Sequence, residues 1–170
     1  SKQAAHYTSV SNRNTVRSYK KVDGEEFIPQ HELCMIDYMD GRDFEFWCAE
    51  LITYSGFTNV LVTPSSNDQG VDIVAWYKNE KYAIQCKRFA SKLGNTPIQE
   101  VYTGKTFYSC SKAVVMTNNY FTRGAVQLAR SSDVYLWDRN KILQLLNKKG
   151  EYLYRQTKQL KKEQAIHRIE

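Results

Sequence analysis

The sequence predicts an α/β domain in which a mixed central sheet is flanked by helices, in the order α-β-β-β-α-β-α-β. Three observations point to it. Two short apolar runs, residues 71–77 and 82–86, stand on either side of a polar break at 78–81 and read as a β-hairpin. A continuous apolar run at 113–117 has the signature of a strand buried on both faces. Segments with helical spacing separate the strands that follow the hairpin, as in a sheet with helices on both sides.

In chain order, residues 1–30 are polar with little periodicity and read as an arm, in which Arg13, Arg17, Lys20 and Lys21 are as compatible with a solvated tail as with phosphate contact. His6 and His31 have no partners at ligand spacing and read as surface residues, and 31–38 as a short helix or turn. The first long helix is expected from Asp40 or Gly41 to about Ser55, with Gly56 as its stop and Phe44, Trp47, Cys48, Leu51 and Ile52 forming one buried stripe. A strand at 57–62 follows, then Thr63-Pro64 and the polar loop 65–70. After the hairpin, a loop at 89–95 carries Lys92, and Thr96-Pro97 reads as an N-cap with proline at the first helical position. The helix from 97 to about 109 places Ile98, Val101, Tyr102, Lys105 and Tyr108 at helical spacing. Thr122 starts another helix, 134–137 is the last strand, and Asp138 caps a helix expected to reach Gly150. Beyond it, residues 151–170 are helical in character but poorly amphipathic, a basic tail read first as solvated. The expected organisation is an arm at 1–39, a domain at 40–149 and a tail at 150–170.

The hairpin carries the chemistry. With Asn79 and Glu80 as turn residues, Asp72 pairs with Lys87 and Val74 with Gln85. Alternation then puts Asp72, Gln85 and Lys87 on one face, and Val71, Ile73, Ala75, Ile84 and Cys86 on the other, taken as the core face. A cross-strand acid and amine are often only an ion pair worth under about 1 kcal/mol. Here the acid follows a loop of turn formers, which brings backbone and carboxylates near a ligand, and the amine is followed at once by Arg88.

Composition narrows the alternatives. At 170 residues with 42% hydrophobic content the chain can bury one good core but hardly two, and a net charge of +6 favours a polyanionic partner. Cys34, Cys48, Cys86 and Cys110 lack metal-ligand spacing and read as reduced, buried thiols. No run approaches the roughly 18 apolar residues of a membrane span, so the expected location is cytoplasmic, with no membrane partner.

Gly41-Arg42-Asp43-Phe44-Glu45, Thr63, Gly70-Val71-Asp72, Gln85-Cys86-Lys87 and Ile98-Gln99-Glu100-Val101, in this order and spacing, resemble the Mrr-like restriction endonuclease catalytic domain. That family is a branch of the PD-(D/E)xK nucleases with Gln in place of the second acid and an added Glu on the first helix. The likeness runs from about Asp40 to Leu146. It implies a restriction-endonuclease-like core and metal-dependent DNA hydrolysis with Mg²⁺ or Mn²⁺. Asp72 would be the principal ligand, with oxygens from Glu45, Gln85 and the Cys86 carbonyl. The preference for Glu45 rests on the resemblance, since a carboxylate in the first turns also interacts favourably with the helix N-terminus. Lys87 would stabilise charge at phosphorus, and Gln99 would lie beside the site. DNA would be held by Arg88, Lys92 and Lys105, with Lys81, Lys112 and Arg123 as further cations. A double-strand break would take a homodimer or sequential nicks. The competing expectations are a catalytically idle nucleic-acid-binding module of the same fold, and a nuclease for branched DNA.

Overall fold

The computed structural model describes residues 19–20 and 24–168. A two-stranded ribbon, β1 (Tyr19–Lys20) with β2 (Glu26–Phe27), leads into a short helix, α1 (Pro29–Met35), and a turn of 3₁₀ helix at Ile36–Tyr38. The Asp40 carboxylate then accepts the Asp43 N–H at 2.7 Å and opens α2 (Gly41–Thr53). Strands β3 (Thr58–Val62), β4 (Ile73–Tyr77) and β5 (Glu80–Lys87) form an antiparallel meander. Helix α3 (Thr96–Phe107) crosses to β6 (Lys112–Thr117), α4 (Arg123–Ser132) to β7 (Val134–Trp137), and α5 (Arg139–His167) follows. The five strands lie in the order β3-β4-β5-β6-β7, with β5, β6 and β7 parallel. The order from α2 to β7 is the one expected from the sequence.

Each face of the sheet carries its own core. On one, Phe44, Cys48, Leu51 and Ile52 of α2 and Ile142 and Leu146 of α5 pack on Ile73, Ala75, Ile84, Cys86, Val114 and Met116. On the other, Ile98 and Val101 of α3 and Ala125 and Ala129 of α4 pack on Val74, Ala83, Ala113 and Val115. Strand β6 alternates between the two and is buried from Ala113 to Thr117, which is why its sequence is a continuous apolar run.

Several expectations need correction. The hairpin turns at Lys78 and Asn79, both at positive φ (48° and 63°), the conformation that matches the twist of adjoining strands in a two-residue turn. Tyr77 therefore pairs with Glu80 and Ile73 with Ile84, a register two residues away from the one read from the sequence. Two is an even shift, so side chains keep their faces, but Gln85 rather than Lys87 comes opposite Asp72. The face bearing Asp72 is not open either: it carries the second core, and Val71, expected on the other face, packs there. Asn95, not Thr96, is the N-cap of α3, without a side-chain hydrogen bond. Gly150 does not end α5: it is buried, and a Cβ there would collide with the Tyr19 ring, so it is glycine for packing and the helix runs on to His167. Packing also reaches back past residue 40, since Phe27, Leu33 and Ile36 belong to the first core. Of the cysteines, all free, Cys48 and Cys86 are buried as expected, Cys110 is half-buried and Cys34 exposed. His31 is exposed as expected, whereas His6, Arg13, Arg17, Lys21 and the Lys20 side chain lie outside the described residues.

Candidate active site

Asp72 sits just before β4, where β5 on one side and the residue after β3 on the other fix its backbone and side chain. Its carbonyl accepts from the Thr63 N–H, its N–H donates to the Ile84 carbonyl, both at 2.9 Å, and its Oδ2 accepts the Cys86 N–H at 2.6 Å. Thr63 completes the joint, its hydroxyl donating to the Val71 carbonyl at 2.7 Å. The residue is 5% exposed, and the pKa of its carboxyl is pushed from 3.8 up to about 7. Burial is the largest cause, and the charges of Glu45 and Asp68 raise it further, against the opposing Cys86 N–H and Lys87. Among the described residues no cation forms an ion pair with Asp72. An acid this buried, with like charges near it and no direct counter-ion, is a place where a cation would relieve strain in the electrostatics.

Two orientations of the Gln85 amide fill the same space, and one of them satisfies both of its ends. In one, Nε2 donates to the Gly70 carbonyl at 2.7 Å and to Asp72 Oδ2 at 3.0 Å, while Oε1 accepts from Lys87 Nζ at 2.8 Å. This satisfies both ends of a buried amide and links Asp72, Gln85 and Lys87 in a chain. In the other, Nε2 donates to Glu100 Oε2 at 3.3 Å, and Oε1 takes the place near Gly70 O and Asp72 Oδ2. Three oxygens so close together are favourable only with a cation or proton among them.

Glu45 approaches from the α2 side. Its carboxylate is 17% exposed and accepts from Arg42 at 2.7 Å, and the same guanidinium donates to the Thr63 carbonyl at 3.0 Å. Arg42 so fastens the first turn of α2 to the end of β3, beside Asp72. From the opposite side α3 presents Glu100, whose Oε2 is 3.8 Å from Lys87 Nζ. The approach is close because two glycines permit it: a Cβ on Gly70, which is at φ +74°, would meet Glu100 Cβ at 2.7 Å, and one on Gly104 would collide with the Gln69 carbonyl.

Glu100 was not singled out from the sequence; Gln99, its neighbour, was. Gln99 is exposed on the outer side of α3, and the buried residues Ile98, Val101 and Gly104 turn Glu100 toward the hairpin instead. The signal in the sequence is Gly104, one helical turn after Glu100 on the same face. Of the expected DNA-binding cations, Arg88 is half-buried and donates to the Asp37 carbonyl at 3.3 Å, part of a cluster in which Arg139 and Asn118 also hold Asp37. Lys92 is exposed in the loop beyond Lys87, and Lys105 lies over the Tyr102 ring, 5.3 Å from its centroid. Lys81 and Lys112 are at the far end of their strands. Six residues of β5, about 20 Å, separate Lys81 from Lys87, and they bond the Tyr108 carbonyl and Glu80 there.

The donors at the site are hard oxygens: the carboxylates of Asp72 and Glu45 and the amide of Gln85. No group of three or more His, Cys, Asp or Glu with metal-binding geometry occurs among the described residues. The donor set fits a hard divalent ion held by one or two carboxylates and otherwise by water, and not a structural zinc.

The mixed five-stranded sheet flanked by helices, at one end of which Asp72, Gln85 and Lys87 come together, is a restriction-endonuclease-like α/β fold. Residues 36–146 match the profile of the restriction endonuclease family, Mrr catalytic domain, and the chain belongs to that family. Similar solved structures include the DNA modification-dependent restriction endonuclease AspBHI (17% identity, TM-score 0.59, 78% of this chain and 38% of that one). MspJI restriction endonuclease in complex with a 27-mer oligonucleotide is another (16%, TM-score 0.53, 74% and 31%). A third is a protein of unknown function, AF1548 (20%, TM-score 0.51, 58% of each chain). The chain thus spans about a third of the two restriction enzymes and over half of the third protein. No curated protein matches the chain.

Proposed function

We propose that the chain is the catalytic domain of a divalent-metal-dependent DNA endonuclease. The observation that carries this is the convergence of Asp72, Gln85 and Lys87 at the end of the hairpin, with the Asp72 carboxyl held at a raised pKa by burial and by Glu45. Membership of a family that generally uses divalent metals supports it, as does a DNA-bound structural neighbour.

Asp72 and Glu45 would hold Mg²⁺ or Mn²⁺, with the Gln85 amide oxygen and the Cys86 carbonyl as further donors. Such an ion would neutralise charge at the phosphate and lower the pKa of a water so that hydroxide is available as the nucleophile. Lys87 then acts as a fixed cation beside the phosphoryl oxygens, a role that needs only its charge and place. Lys92 and Arg123, exposed at the same end of the sheet, hold the DNA backbone and give affinity with little sequence discrimination. A single such site cuts one strand, so a double-strand break takes two copies or two events.

The test is a cleavage assay on linear duplex, single-stranded and four-way-junction DNA, with and without Mg²⁺ or Mn²⁺. Metal-dependent cutting of duplex DNA is the expected result. DNA retained but never cut, with no Mn²⁺ bound in a calorimetric titration, would make the domain a binding module. Preference for the junction would change the substrate class.

A further inference from the structure

Gln85 stands where related nucleases carry a second acid, and that exchange creates a problem a carboxylate does not have. Both ends of a carboxylate are acceptors, whereas an amide must turn its oxygen to a cation and find an acceptor for its nitrogen. The environment of Gln85 is asymmetric in this respect. The orientation that satisfies both ends of the amide without a cation has Nε2 on Asp72 and Gly70 and Oε1 on Lys87, at 2.7–3.0 Å. With the oxygen turned toward Asp72, the acceptor within reach of Nε2 is Glu100 Oε2, at 3.3 Å. Glu100 is placed there by the close packing of α3 on Gly70, and its carboxylate also lies 3.8 Å from Lys87 Nζ.

We propose that Glu100 is a positioning residue that orients the Gln85 amide, accepting from Nε2 so that Oε1 points at the cation beside Asp72. This rests on the metal-dependent reading of the site. It follows the general pattern in which a metal ligand's second polar atom is bonded to an outer carboxylate that fixes its orientation. The same turn puts Nε2 where Oε1 was, 2.8 Å from Lys87 Nζ, and two donors that close must part, which drives the ammonium away from Gln85 and toward a phosphate. Cation binding and the release of Lys87 are therefore one event.

The experiment is Mn²⁺ titration by calorimetry of the whole chain, without DNA, in a two-by-two set: wild type, Glu100→Ala, Gln85→Glu and the double variant. In the wild-type background, losing Glu100 is expected to weaken Mn²⁺ binding by roughly ten-fold or more, the usual cost of removing such an outer partner. In the Gln85→Glu background there is no amide to orient and Glu100 adds only its charge at a distance from the ion, so its loss should cost clearly less than in wild type. Glu100→Gln, which keeps an acceptor without charge, should fall between wild type and Glu100→Ala. Equal losses in both backgrounds would make Glu100 a ligand or a charge donor and overturn the proposal, as would no loss in either. Wild type that binds no Mn²⁺ would remove the metal reading itself, a different result from either. Circular dichroism of each variant checks folding, and Glu100, with 41% of its side chain exposed, is a tolerant position for truncation.

Discussion

At the scale of single residues, Asp72 shows how a site conflicts with stability. Its carboxyl has a pKa of about 7 in the folded chain against 3.8 ordinarily. Below about pH 4 both folded and unfolded chains are protonated and nothing is lost. As pH rises, the unfolded chain ionises first, so stability falls through the interval up to about 7 and the loss is then complete, roughly 4 kcal/mol. Asp72→Asn keeps an acceptor for the Cys86 N–H without the charge. It should stabilise the metal-free protein by about 2–4 kcal/mol at pH 8 and hardly at all at pH 4. Urea unfolding at the two pH values reads this directly, and an equal effect at both would contradict the account. The three hairpin residues were legible because strand parity survives a two-residue error in register. Glu100 was not, because the rotation of α3 depends on which residues the Gly70 turn admits, a contact between segments 30 residues apart in sequence.

Among the elements, the seat of α3 decides whether the two halves of the site meet. An alanine at position 104 would gain about 1 kcal/mol in helix propensity over glycine. Its Cβ would be driven into the Gln69 carbonyl and Val71, an overpacking that costs about 1–3 kcal/mol. The clash wins: Gly104→Ala should lower the thermal midpoint and slow cleavage, although residue 104 touches no reacting group. An unchanged midpoint in a thermal scan would mean α3 is not seated as described. From α2 onward element types and order were legible from periodicity and caps, with Asp40, Thr122 and Asp138 each accepting a backbone N–H at a helix start, whereas the β1–β2 ribbon lies in the stretch read as an arm. The path of α5 was not: Gly150 carries the usual signal of a helix stop, and only the Tyr19 ring against it explains the glycine.

For the whole molecule, the cations behind the net charge of +6 differ in how they stand to the site. Lys81 and Lys112 are engaged at the end of the sheet opposite Lys87, whereas Lys92 and Arg123 are exposed beside it. Each phosphate contact contributes about 0.9 to the slope of log affinity against log salt for duplex DNA. Lys92→Ala and Arg123→Ala should each flatten that slope by about one, and Lys81→Ala should leave it unchanged. A slope changed as much by Lys81→Ala would put the DNA on another face. The most direct measurement of the central claim is cleavage of plasmid DNA in Mn²⁺ by wild type, Asp72→Ala and Lys87→Ala, with retention of the same DNA in a gel measured alongside. Cutting by wild type alone is expected, with near-equal retention by all three; cutting by either variant at the wild-type rate would leave that residue out of the chemistry.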